Sequence, residues 1–157
     1  MTAILDDAAA EQLAESLARQ HHAGQVDRSG VPYIEHVEAV ARAPFLPASR
    51  HRQVAWLHDI VEDTDITLTD LTAAGFSPVV VHAVGLLTHT AGQPRRGYIA
   101  AIAADPVARL VKQADNRHNL SRNSDLTDEQ TRKRLYEKYT REWGWLHEES
   151  AESVGDL

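Results

Sequence analysis

In the segment Trp56-Leu57-His58-Asp59-Ile60-Val61-Glu62-Asp63-Thr64, four ionisable side chains fall within six positions of an otherwise apolar run. Read as helix, His58 and Glu62 are i, i+4 neighbours, as are Asp59 and Asp63, which makes a two-wide stripe of one imidazole and three carboxylates. That much negative charge on a small patch is unfavourable unless something positive neutralises it, as a divalent metal would. A solvated helix end is the competing reading, although acidic groups there oppose the macrodipole. Two further segments bear on the choice. Tyr33-Ile34-Glu35-His36 sets a histidine early in a short helix flanked by Val37, Val40 and Ala41, a setting that also suits a hydrogen-bonded core histidine. Across residues 107–120, Lys112, Asp115 and Asn119 share one stripe at i, i+3, i+7, beside an apolar face of Leu110, Val111 and Ala114. That stripe reads either as an exposed face or as a metal ligand with a phosphate-binding cation and an orienting amide. Together His36, His58, Asp59 and Asp115 offer two imidazoles and two carboxylates from three helices. Mixed nitrogen and oxygen ligation suits a first-row transition ion such as Mn, Fe, Co or Zn better than Ca or Mg. Four protein ligands on an octahedral ion leave positions for water and substrate.

The elements that must position these residues are helical almost throughout, and the class is all-α in a single domain, residues 1–150. Asp6 or Asp7 caps a first helix to about residue 22, with Leu13 and Leu17 on one face. A loop with two glycines and a proline follows at 24–32. A short helix is predicted over 34–43, and one capped by Ser49 over 50–62. Thr67 caps 68–74, which Gly75 closes. Ser77-Pro78 opens a helix to about residue 87; its Val79-Val80-Val81 could pass for a strand, but the cap and the spacing of Val80, Val84 and Leu87 favour helix. After a loop at 90–95 come helices over 96–103 and 106–120. Thr127 with Gln130 forms a capping box for a last helix to about residue 149, and 151–157 reads as a frayed tail.

The order His36, His58-Asp59, Asp115 is similar to the H…HD…D signature of the HD-domain metal-dependent phosphohydrolases. The likeness is closer still to the RelA/SpoT alarmone enzymes. Gly24-Gln25 through Ser29-Gly30-Val31-Pro32-Tyr33-Ile34-Glu35-His36 looks like their first hydrolase motif, and Leu57-His58-Asp59-Ile60-Val61-Glu62-Asp63-Thr64 looks like their HDxxED motif. Val111-Lys112-Gln113-Ala114-Asp115-Asn116-Arg117-His118-Asn119-Leu120 resembles their fourth. The likeness runs over roughly residues 14–146. It implies a helical HD fold with one Mn²⁺ held by His36, His58, Asp59 and Asp115, and a Glu62-Asp63 pair that activates the attacking water. The substrate implied is ppGpp or pppGpp, cleaved at the ribose 3′-oxygen to release pyrophosphate. Arg28, Ser29, Lys112 and Asn119 would meet it, with Asn119 orienting the ribose or phosphate, and Lys112 and Arg28 offsetting phosphate charge. The synthetase and regulatory domains of the long relatives are absent, so the expected form is hydrolase-only.

Three departures bear on the substrate pocket. Asp27 stands where long alarmone hydrolases usually carry a basic residue near the guanine. Val37 replaces a proline, and Asn116-Arg117 replaces an Arg-Leu order. They keep open a different 2′- or 3′-phosphorylated nucleotide, such as NADPH, and a non-catalytic nucleotide-binding HD domain.

Composition narrows the field further. The chain has 157 residues, about one domain's worth, and no cysteine, which removes disulfides, thiolate zinc sites, iron–sulfur clusters and cysteine nucleophiles. A formal charge of −7 disfavours nucleic acid and anionic membrane as partners. The acidic N-terminus is not a signal peptide, and the longest apolar stretch falls far short of a membrane span, so the expectation is a soluble, cytoplasmic protein. There is no GxxxxGK[ST], GxSxG or HExxH motif. His21 and His22 read as structural imidazolium groups at a helix end, His51, His82, His89 and His147 as surface or capping residues, and His118 as a neighbour of the Asp115 face. Arg95 and Arg96 form either a lid over phosphates or a solvated pair. Trp143 and Trp145 pack on the body or form a homodimer face.

Overall fold

The small apolar face of α1 (Asp7–His21) decides how the first layer forms. Asp6 caps it by accepting from the Ala9 N–H at 2.8 Å. Ala10, Ala14 and Ala18 are the buried residues, while Leu13 and Leu17 flank them. Three alanines in line let the backbone of α3 (Ser49–Leu57) approach closely. The computed structural model describes residues 2–155, with side chains through residue 148. The order along the chain is α1, α2 (Ile34–Ala41), α3, α4 (Ile60–Asp63), α5 (Leu68–Ala74), α6 (Pro78–Leu87), α7 (Arg95–Ala103), α8 (Pro106–Arg122) and α9 (Glu129–Gly155). Among the described residues there is no strand, only an isolated antiparallel bridge between Val26 and Pro32. The all-α, single-domain reading stands. The tail expected to fray, 151–157, lies outside the residues described with side chains. No helix among the described residues is long and apolar enough to cross a membrane.

α3 is the central element. His51, Gln53, Val54, Ala55, Trp56 and Leu57 are all buried on it, and it packs against α1, α2, α6 and α8. Ser49, expected to cap this helix, does not; Ala48 holds that position, and the Ser49 hydroxyl instead donates to Glu11 at 3.0 Å, tying α3 to α1. His51 is buried rather than at the surface, and burial lowers its pKa. α6 is helical, with Val80, Val84 and Leu87 buried, so the valine run is not a strand. The last helix is capped one residue later than the Thr127–Gln130 box implies: Asp128 accepts from the Thr131 N–H at 3.0 Å.

The single helix expected over 50–62 is broken at His58-Asp59 into α3 and α4. The cause is local. His58 Nδ1 lies 2.6 Å from the Ala55 carbonyl oxygen, the acceptor that the Asp59 N–H would need in a continuous helix. Asp59 leaves the helical region with φ −110° and ψ 1°, and the chain re-enters helix with the Asp63 N–H bonded to the Asp59 carbonyl at 3.0 Å. The stripe therefore becomes a corner, and the His-Asp pair sits at its apex.

Candidate metal centre and adjoining cavity

Three elements meet at that apex. α2 brings His36, the α3–α4 corner brings His58 and Asp59, and α8 brings Asp115. One ligand atom from each of His36, His58 and Asp115 lies within 4.8 Å of the other two, and all three residues are buried. His36 Nε2 is 2.8 Å from Asp115 Oδ1. His58 Nε2 is 3.0 Å from Asp59 Oδ2 and 3.6 Å from Asp115 Oδ1, yet it is buried without a hydrogen-bond partner. Asp59 thus reaches the cluster through His58 and is not a member of the three-residue group. The Tyr33 hydroxyl donates to its carboxylate.

Each ligand candidate is fixed from behind. The Ala55 carbonyl on His58 Nδ1 assigns that nitrogen the proton and leaves the Nε2 lone pair for the cluster. His36 Nδ1 meets His118 Nδ1 at 2.7 Å, so the expected neighbour of the Asp115 face supports His36 directly. On α8, Lys112 Nζ lies 2.9 Å from Asp115 Oδ2 and the Asn119 amide donates to Oδ1 at 3.3 Å. The stripe expected at i, i+3, i+7 is real, and it closes on its own carboxylate.

The charges are strongly coupled. Burial works against ionised Asp115, but Lys112, His36 and His58 hold its carboxyl well below the usual range. Asp59, also opposed by burial, is held at about 2 by His58. Burial would lower His58, yet Asp59 and Asp115 outweigh it and raise the imidazole well above its ordinary value. A proton is thus drawn to the place where a cation would sit. Buried nitrogen and oxygen donors, one of them an orphaned imidazole nitrogen, fit a divalent transition metal, whose binding displaces such a proton.

Glu62 and Asp63 follow on α4. Glu62 Oε1 accepts from the His89 N–H at 2.7 Å, so the loop after α6 orients this carboxylate. Partial burial and the neighbouring Asp59 and Glu62 carboxylates push Asp63 up to about 6. Asp63 also lines a cavity of about 690 Å³, whose wall includes Gln25, Asp27, Arg28, Ser29, Tyr33, Asn119, Arg122 and Tyr139. Of the four residues expected against substrate, Arg28, Ser29 and Asn119 line this cavity and Lys112 stands behind Asp115. The cavity is of the size that holds a nucleotide.

Several expectations are corrected. Asn116 does not face the cavity: it is 1% exposed, and both its side-chain polar atoms are buried without a partner. His22 is not an imidazolium at a helix end; burial lowers its pKa, and its Nδ1 meets Gln25 Oε1 at 2.9 Å. Arg95 is tied down, its Nε donating to the buried Glu142 at 2.6 Å, whereas the exposed Arg96 pairs with the exposed Glu148 at 3.0 Å. Trp145 packs on the core beneath Arg96. Sequence reasoning missed Tyr33, Gln25, Arg122, Tyr139 and the amide of His89. Arg122 was within reach, since it continues the Asp115–Asn119 stripe by three residues. Tyr139, on a distant helix, carried no local signal.

Comparison with known proteins decides the family. No family model matches the chain. It is 38% identical over 120 residues to a probable GTP pyrophosphokinase of Mycobacterium leprae, covering 69% of this chain and 15% of the relative. It is 36% identical over 116 residues to a guanosine-3′,5′-bis(diphosphate) 3′-pyrophosphohydrolase of Vibrio cholerae, covering 66% of this chain and 16% of the relative. The chain thus aligns with about a sixth of the length of these relatives. Among solved structures, it matches a metazoan ortholog of SpoT, described as hydrolysing ppGpp and playing a role in starvation responses, with a TM-score of 0.75, 25% identity, and coverage of 88% of this chain and 85% of that one. The chain is an alarmone-hydrolase-like HD domain. In this HD domain the broken α3–α4 helix carries His58 and Asp59, and the His/Asp cluster between helices could hold a metal.

Proposed function

We propose that this HD domain hydrolyses ppGpp or pppGpp at the 3′-position, releasing pyrophosphate and GDP or GTP, with one Mn²⁺ held by His36, His58, Asp59 and Asp115. The observation that carries the reading is the buried, unpartnered His58 Nε2 facing the Asp59 and Asp115 carboxylates, whose hydrogen-bond donors Tyr33 and Asn119 line a nucleotide-sized cavity. The activities given for the Vibrio and metazoan relatives supply the substrate class.

When bound, the metal lowers the pKa of a water and stabilises charge on the phosphoryl oxygens. The remaining work belongs to the chain. Glu62, oriented by the His89 amide, and Asp63, at the cavity wall, take the proton of the water as its oxygen attacks the phosphorus bonded to the ribose O3′. The P–O3′ bond breaks, the ribose O3′ leaves as the 3′-hydroxyl after taking up the proton removed from the water, and the attacked phosphoryl group departs with the water oxygen as pyrophosphate. Arg28 and Ser29 meet phosphate, Lys112 offsets the charge gathered at Asp115, and Asn119 orients the ribose or phosphate from the cavity wall. Glu62→Ala and Asp59→Ala test the assignment. Each is expected to lower ppGpp turnover at saturating Mn²⁺ by about 100-fold or more; unchanged turnover in either would overturn it.

A further inference from the structure

The first turns of α9 carry charge of the opposite sign to the chain as a whole, whose net charge is −7. Arg132 and Lys133 are exposed neighbours there, and neither side chain enters an ion pair or hydrogen bond among the described residues. Tyr136 follows them at i+4 and i+3, so the three side chains share one face of the helix. They line a cavity of about 540 Å³, closed on its other side by Leu120 and Ser124 and by Asn123 at the end of α8. This cavity is separate from the one beside the His/Asp cluster, and Asn123 alone lines both. Asn123 is 8% exposed. Its Nδ2 donates to the Arg132 carbonyl at 3.1 Å, which ties the end of α8 to α9, while its Oδ1 is buried without a partner. The floor of the cavity therefore holds an acceptor that lacks a donor, and the exposed Glu129 adds a second acceptor at the rim.

We infer that this cavity is a second nucleotide site, which takes a nucleoside phosphate with its phosphates on Arg132 and Lys133 and its base against the Tyr136 ring. Each part of such a ligand has a matching group. A guanidinium beside an ammonium suits phosphate oxygens. An aromatic ring that is 55% exposed offers a face on which a base can stack, whatever its identity. Asn123 Oδ1 and Glu129 would accept from the amino and hydroxyl groups of base and ribose, for which a bare inorganic anion has no counterpart. None of the proposed metal ligands lines this cavity, nor does Glu62 or Asp63, so a nucleotide held here is bound and not cleaved. Through Asn123 it would rest against the wall of the substrate cavity. The inference goes beyond the hydrolase reading and does not depend on it.

The experiment is calorimetric titration of GDP, and separately of inorganic pyrophosphate, into the Mn²⁺-loaded protein and three variants. Two GDP per chain are expected in the wild type, one in each cavity. Arg132→Ala with Lys133→Ala keeps the backbone carbonyl that Asn123 uses, and should weaken one of the two sites by about tenfold or more. Tyr136→Ala should weaken the same site for GDP by about fivefold or more and leave pyrophosphate binding unchanged. Arg50→Ala with Arg134→Ala removes the same charge away from the cavity and is expected to alter neither site. Pyrophosphate release from ppGpp by the Arg132/Lys133 variant should keep its kcat within about twofold. A wild type that binds no GDP, or one GDP that the Arg132/Lys133 variant binds equally well, overturns the inference. So does an equal loss in the Arg50/Arg134 control, which would reduce the effect to net charge, or a collapse of kcat in the Arg132/Lys133 variant, which would put these cations in the reaction. A single GDP lost on removing Arg132 and Lys133 would keep this site and count against the substrate cavity proposed above.

Discussion

His118 sits behind His36 with an Nδ1 to Nδ1 approach of 2.7 Å, and this contact sets which ring nitrogen of His36 faces Asp115. Supporting contacts of this kind cost about 10–100-fold in metal affinity when removed. His118→Ala is therefore expected to weaken Mn²⁺ binding by about that factor while far-UV circular dichroism stays unchanged; an unaltered affinity would remove His118 from the site. Asp63 gives a prediction of opposite sign, because its carboxyl is pushed up to about 6 by partial burial and by Asp59 and Glu62. A raised carboxyl pKa means that ionised Asp63 costs stability above pH 6, and that the cost vanishes as pH falls below the unfolded value of about 3.9. Metal-free Asp63→Asn is expected to be more stable than wild type near pH 8, by on the order of 1 kcal/mol after solvent screening. The gain should disappear near pH 3.5. Thermal melts with EDTA at the two pH values check this, and an equal gain at both would point to packing instead.

Helix by helix, much was legible because the signals were local. Asp6, Thr67 and Ser77 all cap the helices their positions announce. The order of the His-Asp motifs along three helices pointed to His36, His58 and Asp115, which the fold brings together, and to Asp59, which it places beside His58. The break at His58 was not legible, since helical periodicity carries no record of a side chain that captures the Ala55 carbonyl. Nor was the α7–α9 contact, where Arg95 and Glu142 meet across 47 positions. Glu142 is 1% exposed, so its carboxylate depends on that guanidinium. Arg95→Met should leave it buried and unpaired, at a cost of about 3 kcal/mol. Adding Glu142→Leu should restore most of the loss. Urea unfolding of the two variants distinguishes this from simple lost contact, in which case the double variant would be no more stable than the single.

At the scale of the molecule, a chain of net charge −7 draws its functional cluster from carboxylates and imidazoles and buries it between helices. Its Asp59 and Asp115 carboxylates raise the pKa of the His58 imidazole well above its ordinary value. Lys112 offsets part of the charge on Asp115. The helices that build it come from both halves of the chain: α2 and the α3–α4 corner on one side, α8 on the other, with α3 packed against both α2 and α8. The cavity beside it draws on the loop after α1, the end of α8 and the start of α9. Sequence motifs pointed to the loop after α1 and to α8, whereas the contribution of α9 became visible only in the folded chain. The central claim is metal-dependent cleavage at the 3′-position. Its most direct test is anion-exchange analysis of products after incubating the purified protein with ppGpp, pppGpp, the 2′-phosphorylated NADPH and 3′-phosphorylated nucleotides, with Mn²⁺ and with EDTA. Pyrophosphate and GDP or GTP are expected with Mn²⁺ and not with EDTA. Equal release in EDTA, or no turnover of ppGpp and pppGpp by the Mn²⁺-loaded protein, would contradict the claim.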